Sequence, residues 1–497
     1  MRRRHALAIA AAMALVTATC ATRPDADDPA APIPTRGAEL YARHCASCHG
    51  ATGDADTAVA ALLLPKPNPF RAGLFKLVST RNGMPTEDDL VRTLYFGMPG
   101  STMMSWSWLP KADLVALARE VRRLAIAGRA DSIRRTAAIT GQSLDAGAAA
   151  AQAERELTPG EVVDVGDAAS PTDATLREGR ELFLRHCASC HGTDGRGLSQ
   201  LQSWPTGSGW LQPRDFTSGY LRADSSHREL AFRVLAGMPA AHMPPAPLAA
   251  GECAALVAWV RTLLPDGAGE RHAQWRRTVR VAKVDDLDAE LRLDRVRLPV
   301  VPLWWRPDAC DEVWLRAAHD DREIRIELSW ADGTRDDRVR PGAAMGDGVA
   351  IQFAGDREPP LLPMGSSARP VNVWRWHTYD PKALAGIADL VGGQPHGGLD
   401  VAVPLQLEPL TESMRLGGPD SVGHATGSGL PIHVETVWHD GSWHATFRRA
   451  LAARSPAEID LTGAEPVLFA LAVWDAAIDP HPGSKAITTW HALELER

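Results

Sequence analysis

The chain has 497 residues, enough for about three domains of ordinary size. Its 45% hydrophobic and 23% charged content is that of folded globular modules and excludes a disordered chain. A formal net charge of −8 argues against a nucleic-acid partner and leaves protein partners with a basic docking face open.

In chain order, Arg2, Arg3 and Arg4 form a positive region, and Ala6 to Val16 is an apolar run too short to span a bilayer comfortably. Residues 1–20 therefore read as a signal peptide, with a periplasmic or otherwise exported destination. Cys20 closes the segment after small residues. That arrangement resembles a bacterial lipoprotein signal, which implies lipidation of Cys20 and a membrane tether; an ordinary cleaved signal peptide is the alternative reading.

An internal repeat organises the chain from about residue 34 to residue 265. Arg43-His44-Cys45-Ala46-Ser47-Cys48-His49-Gly50 recurs as Arg185-His186-Cys187-Ala188-Ser189-Cys190-His191-Gly192. Gly97-Met98-Pro99 recurs as Gly237-Met238-Pro239, and Pro67 with Phe70 answers Pro213 with Phe216. The repeat defines two modules, residues 34–125 and 173–265. Each has a helix entering the Cys motif, a Gly- and Pro-rich middle, a Met-bearing loop and a closing helix. The closing helices are predicted at Lys111 to Ala125 and Gly251 to Leu264 from three- and four-residue apolar spacing. The Ala- and Asp-rich stretch 126–172 reads as a linker with some helix.

A Cys-x-x-Cys-His run attaches a c-type haem: two thiols form thioethers with the porphyrin vinyl groups and the adjacent His binds the iron. On a helix, Cys45, Cys48 and His49 fall at i, i+3 and i+4 and project to one face, as do Cys187, Cys190 and His191. A redox or zinc Cys pair is the competing reading; repetition with flanking Gly favours two covalent c haems. Cys253, in a predicted helix, and Cys310, near a strand start, read as buried free thiols.

The opposite axial position calls for a soft thioether if the haem is to run at elevated potential. Gly97-Met98-Pro99-Gly100 precedes Met103, Met104 and Trp106, and Gly237-Met238-Pro239 precedes Met243-Pro244. These modules resemble the single-haem class I cytochrome c family, all-α domains whose ligand Met follows such a turn. By position the resemblance implies Met103 and Met243 as ligands, with Met104 a rival in the first module. Met84, Met98 and Met238 read as packing or turn residues.

Beyond Pro265 the texture changes to short β-branched and aromatic segments separated by turn signals. Glu323 to Trp330, Gly348 to Phe353, Val371 to Trp376, Trp443 to Phe447 and Pro466 to Trp474 are predicted strands of an all-β sandwich over residues 286–497. Several runs resemble the haem-b-binding γ subunit of the ethylbenzene dehydrogenase type. They are Leu328-Ser329-Trp330-Ala331-Asp332-Gly333-Thr334, Asp347 to Phe353, Pro363-Met364-Gly365, Val371 to Trp376, Ala472 to Asp475 and Lys485 to Trp490. The resemblance implies one noncovalent haem b with Met364 and Lys485 as axial ligands. His377, next to the Trp-x-Trp pair, is a competing ligand.

Together the two resemblances imply a multihaem electron-transfer subunit or carrier rather than a catalytic chain. Its partners would be redox proteins: molybdopterin and iron-sulfur subunits of an exported molybdenum oxidoreductase, and the respiratory chain. The alternative is a dihaem peroxidase with the C-terminal half as a docking module. The paired Met signals speak against it, because six-coordinate haem has nowhere to bind peroxide. A haem-based sensor would carry a fused signalling domain, and no such sequence is visible.

Overall fold

The computed structural model describes residues 35–197, 204–206, 209–211, 213–268, 275–304, 309–337, 346–355, 370–378, 410–416, 426–427, 432–455, 458–476 and 485–497.

Helix α1 (Arg36–His44) runs into the four-residue α2 (Ala46–His49) through a break at Cys45. Backbone bonds from Cys45 N to Tyr41 O (2.8 Å) and from His49 N to Cys45 O (2.9 Å) carry the helical path across it. The i, i+3, i+4 spacing therefore still gathers Cys45, Cys48 and His49 on one side. After α3 (Ala58–Ala61), α4 (Glu87–Phe96) starts at a Thr86–Asp89 capping box. The buried Asp89 carboxylate also accepts from the Ser79 amide and hydroxyl, which pins the incoming chain to the helix start.

The first closing helix differs from expectation. α5 (Lys111–Ile139) does not stop at Ala125 but continues for a total of 29 residues, and α6 (Ala146–Glu156) packs back against it through Ala130, Ile133, Ala149 and Ala153. The chain then returns to the first module, with Arg81 N donating to Glu161 O and Val163 N to Ser79 O. The stretch 126–163 is thus partly helical and packs in places on the first module. Its small Ala side chains allow the close helix contact that composition alone reads as linker.

The second module repeats the plan with α7 (Asp173–His186), α8 (Ala188–His191), α9 (His227–Leu235) and α10 (Ala250–Leu263), plus a hairpin of β1 (Trp204–Thr206) and β2 (Gly209–Leu211). In both modules the entering helix crosses the closing one at a glycine. A Cβ on Gly37 would collide with the Ala116 carbonyl, and one on Gly179 with that of Ala255.

The remaining described strands are β3 (Thr278–Lys283), β4 (Val296–Pro299), β5 (Val301–Pro302), β6 (Glu312–His319), β7 (Glu323–Ala331), β8 (Gly348–Ala354) and β9 (Val371–His377). They continue as β10 (Leu410–Leu416), β11 (Thr426–Gly427), β12 (His433–His439), β13 (Ser442–Ala450), β14 (Val467–Trp474), β15 (Lys485–Ile487) and β16 (His491–Leu495). All five predicted strand segments are among them. The domain begins earlier than residue 286, because β3 pairs in parallel with both β16 and β6 and buries Val279 and Val281. The main path runs β11-β10-β9-β8-β14-β16-β3-β6-β7-β13-β12. Inward residues of both flanks, among them Ile324, Ile326, Phe447, Ile351, Phe353 and Leu471, share one core.

Every residue of β8 is buried, which needs a cover on both faces. Val349, Ile351 and Phe353 point into the domain core. Ala350 and Ala354, with Val373, Ala470 and Ala472, pack against Leu63 and Cys48 of the first helical module. Leu64 N donates to Leu303 O at 2.7 Å across the same boundary.

Candidate functional site

Each helical module encloses an apolar cleft. The first, about 1070 Å³ including its mouth, is lined by Cys45, Cys48, His49, Leu94, Met98, Met103, Met104 and Trp106. The second, about 720 Å³, is lined by Cys187, His191, Met238, Met243, Leu256 and Val260. Volumes of this size suit a prosthetic group.

The two histidines are held alike. His49 Nδ1 lies 3.2 Å from Asn68 O and His191 Nδ1 lies 3.2 Å from Arg214 O. A carbonyl at Nδ1 selects the Nδ1–H tautomer and leaves the Nε2 lone pair for a metal. Phe70 stacks on His49 at 4.5 Å and Phe216 on His191 at 4.8 Å, fixing the ring planes. Burial lowers the His49 pKa to about 4 and that of His191 in the same direction, so both rings stay neutral. Burial also raises Cys45 to about 12 and Cys48 and Cys187 to about 11. Thiols held protonated make poor redox nucleophiles, which weighs against a thiol–disulfide role.

The Met loops share one register. Met98 N donates to Met103 O and Met238 N to Met243 O, both at 2.8 Å, and Trp106 N to Leu94 O repeats as Ala246 N to Val234 O. Met103 and Met243 are therefore structurally equivalent. Met104 is buried, and its sulfur accepts a bond from the Thr489 hydroxyl of the β domain at 3.5 Å. Met98 and Met238 line the clefts from the turn before. Met84 packs at the edge of the first module's core.

In the β domain, Lys485 faces Trp474 across the β14–β15 pair, its ammonium 5.5 Å from the indole. A pocket of about 290 Å³ including its mouth, much smaller than either cleft, gathers it with Trp304, Cys310, Trp330, Trp474 and Asp475. Burial lowers the Lys485 pKa to about 8, with help from Arg375. His377 is fully buried, with its ring 4.7 Å from Trp474 and close to the backbone of Gly346 and Asp347. It lies over Gly348, where a Cβ would strike the imidazole. Burial takes its pKa down to about 3. Met364 and Cys20 lie outside the described residues. Cys253 is fully buried, whereas Cys310 is half-buried, its thiol donating to Glu312 O at 3.1 Å.

Sequence reasoning missed three features that depend on distant residues meeting. One is Thr489 on Met104; a second is a set of cations between the clefts. The third is a carboxylate cluster, in which Asp332, Asp347 and Asp475 each bring an oxygen within 4.8 Å of the others. Burial and mutual repulsion raise Asp332 to about 7, and burial raises Asp347 to about 6. Because the folded pKa exceeds the unfolded one, near 3.9, these acids take up protons on folding. Their contribution to stability falls as pH rises from about 4 to 7. Asp332→Asn is therefore expected to be more stable than the parent at pH 8 by on the order of 1–3 kcal/mol, the difference vanishing near pH 4. Urea unfolding at the two pH values checks this; an equal difference at both would show that the carboxyl charge is not the cause.

Residues 176–264 match the Cytochrome c family, and residues 32–119 match the family described as Cytochrome C oxidase, cbb3-type, subunit III. The N-terminal half is a helical cytochrome c-like region, and that likeness implies covalently attached haem c. The chain is 24% identical over 178 residues to a protein of Haloferax mediterranei described as respiratory nitrate reductase heme subunit ORF7, covering 36% of this chain and 53% of that protein. It is also 24% identical over 189 residues to chlorate reductase subunit gamma of Ideonella dechloratans, covering 38% and 66%. The chain thus spans between half and two thirds of the curated relatives it matches. The solved Kuenenia stuttgartiensis reducing HAO-like protein complex Kustc0457/Kustc0458 aligns over 47% of this chain and 98% of that one, at 26% identity and a TM-score of 0.39. Among the described residues no helix is long and apolar enough to cross a membrane.

Proposed function

We propose that this chain is an exported multihaem electron-transfer protein with two covalent c haems and one noncovalent haem b. It would serve as a subunit or carrier between a molybdenum oxidoreductase with iron-sulfur partners and the respiratory chain. Haem supplies a one-electron iron couple when bound. The observation that carries the reading is the duplicated cleft, in which a carbonyl-held, neutral His shares an apolar wall with a Met loop and with motif cysteines, Cys45 and Cys48 in the first and Cys187 in the second. Cys45, Cys48, Cys187 and Cys190 would anchor the groups, and His49 with Met103 and His191 with Met243 would ligate the irons. The shared loop register and the Thr489 bond to Met104 favour Met103 over its neighbour. The C-terminal domain, read as a two-layer sandwich, would hold haem b through Lys485 and Met364. Because β8, β9 and β14 lie against Cys48 and Leu63, the first cleft is the natural relay between the β domain and the second cleft. Names of the curated relatives as reductase heme and gamma subunits support the partner class. Lipidation at Cys20 would keep the protein at a membrane surface.

The axial test uses the weak near-infrared band of sulfur-to-iron charge transfer in the oxidised protein. Met103→Ala and Met243→Ala should each remove about a third of it, one Met-ligated haem in three, while Met104→Ala leaves it in place. A full band in both first variants would remove the Met assignment.

A further inference from the structure

The wall between the two clefts carries a set of buried cations. Lys76 is 5% exposed and lines the first cleft; Arg214 and Arg222 line the second. Among the described residues Lys76 makes no hydrogen bond or ion pair, and Arg222 Nη1 is buried without a partner. The carboxylates at the junction are already engaged. Asp89 is held by Ser79 and Thr86, and Glu229 pairs with Arg92 and lies 4.0 Å from Arg233. The other ionisable groups lining the clefts are His44 and Lys66 in the first, Asp224, which accepts from the Ser226 amide, in the second, and His49 and His191, both neutral; Tyr220 beside Arg214 has its hydroxyl pushed well up by burial and by Asp311.

The placement follows from the repeat. In this part of the modules Pro67 and Phe70 correspond to Pro213 and Phe216, so the same offset makes Lys76 the counterpart of Arg222 and Asn68 that of Arg214. The contacts between modules are reciprocal: Ala240 N donates to Phe75 O in one direction, and Arg214 Nη2 to Gly100 O in the other. Such an arrangement brings equivalent residues together near a pseudo-two-fold axis. Lys76 in the first wall and Arg222 and Arg214 in the second are then buried within electrostatic reach of one another, which is costly unless an anion joins them.

We propose that Lys76 and Arg222, with Arg214, form one shared carboxylate-binding cluster that takes the porphyrin carboxylates of both clefts and couples the two haems. The proposal rests on each cleft holding a haem. Burial lowers Lys76 to about 7, with Arg222 and Arg214 adding to the shift. Removing a cation there disfavours the electron-rich reduced haem and frees a haem carboxylate to titrate. Midpoints should fall, and should then decline further with rising pH as that carboxylate loses its proton.

The test is optical redox titration of the full-length holoprotein from pH 5 to 9, with haem counted by mass spectrometry. In Lys76→Gln and Arg222→Gln, two haems should remain while at least one midpoint falls by a tenfold change in the reduction equilibrium, about 59 mV for one electron. A pH dependence absent from the parent should appear, and Lys76→Arg should restore the parent profile. Two bound haems with unchanged midpoints and pH profile in both Gln variants would overturn the cluster alone. A parent without covalent haem would overturn the reading beneath it as well. Should Lys76→Gln fail to fold, Arg222→Gln decides the matter.

Discussion

Replacing Cys45 and Cys48 with Ala is expected to remove one of two covalent haems, and replacing Cys187 and Cys190 the other. The parent should give a haem-positive band on a denaturing gel and two haem additions by mass spectrometry; each double variant should show one. The two losses should not cost the same stability. An emptied first cleft leaves a larger void. Its wall is also shared, since Cys48 packs with Leu63 against Ala350, Val373 and Ala470 of the β domain. Cavity cost grows with the space that the surroundings cannot fill. The Cys45/Cys48 variant should therefore melt at lower temperature than the Cys187/Cys190 variant. A parent free of covalent haem, or a double variant that keeps both, would sink the central reading.

Acid-acetone treatment of the parent should release one haem b per chain, because thioether-linked haem stays with the protein. Lys485→Ala or Met364→Ala should reduce that yield sharply, and His377→Ala should not. A Lys amine ligates iron only when deprotonated, and its usual pKa is near 10.4. The site already moves it toward the neutral form, with its pKa near 8 beside Trp474. Metal binding would add to that shift in the same direction, so acid should release the Lys ligand first. His377 is neutral too, but its ring is wedged over Gly348 and against Trp474. Preparations made with ample haem that yield no extractable haem would leave the C-terminal half as a docking module. A loss confined to His377→Ala would move the ligand to the imidazole.

The clustering of each Cys-x-x-Cys-His motif was legible because its geometry is local. Two thiols and an imidazole within five residues need only one helical turn to share a face, and the repeat doubled the signal. The five strand segments were legible for a similar reason, since β-branched and aromatic runs between turn residues impose their own period. The extent of α5 was not, because nothing at Ala125 marks an end and the residues beyond it are ordinary helix formers. Whether they stay helical depends on α6 returning to cover Ala130 and Ile133. Nor was β3 found, since its pairing is parallel with strands far along the chain, β16 and β6, and short segments of that kind carry no local turn.

By itself, then, the sequence determines that there are two Cys-x-x-Cys-His motifs in repeated surroundings and an alternating, tryptophan-rich half after them. These properties belong to neighbours along the chain, where helix and strand geometry dictates who shares a face. Only the tertiary structure decides which methionine matches Met243, that Thr489 touches Met104, and that Lys76 in the wall of one cleft lies within electrostatic reach of Arg222 in the wall of the other. Those relations join residues separated by well over a hundred positions. They depend on how the modules dock, which is set by packing and burial rather than by local spacing.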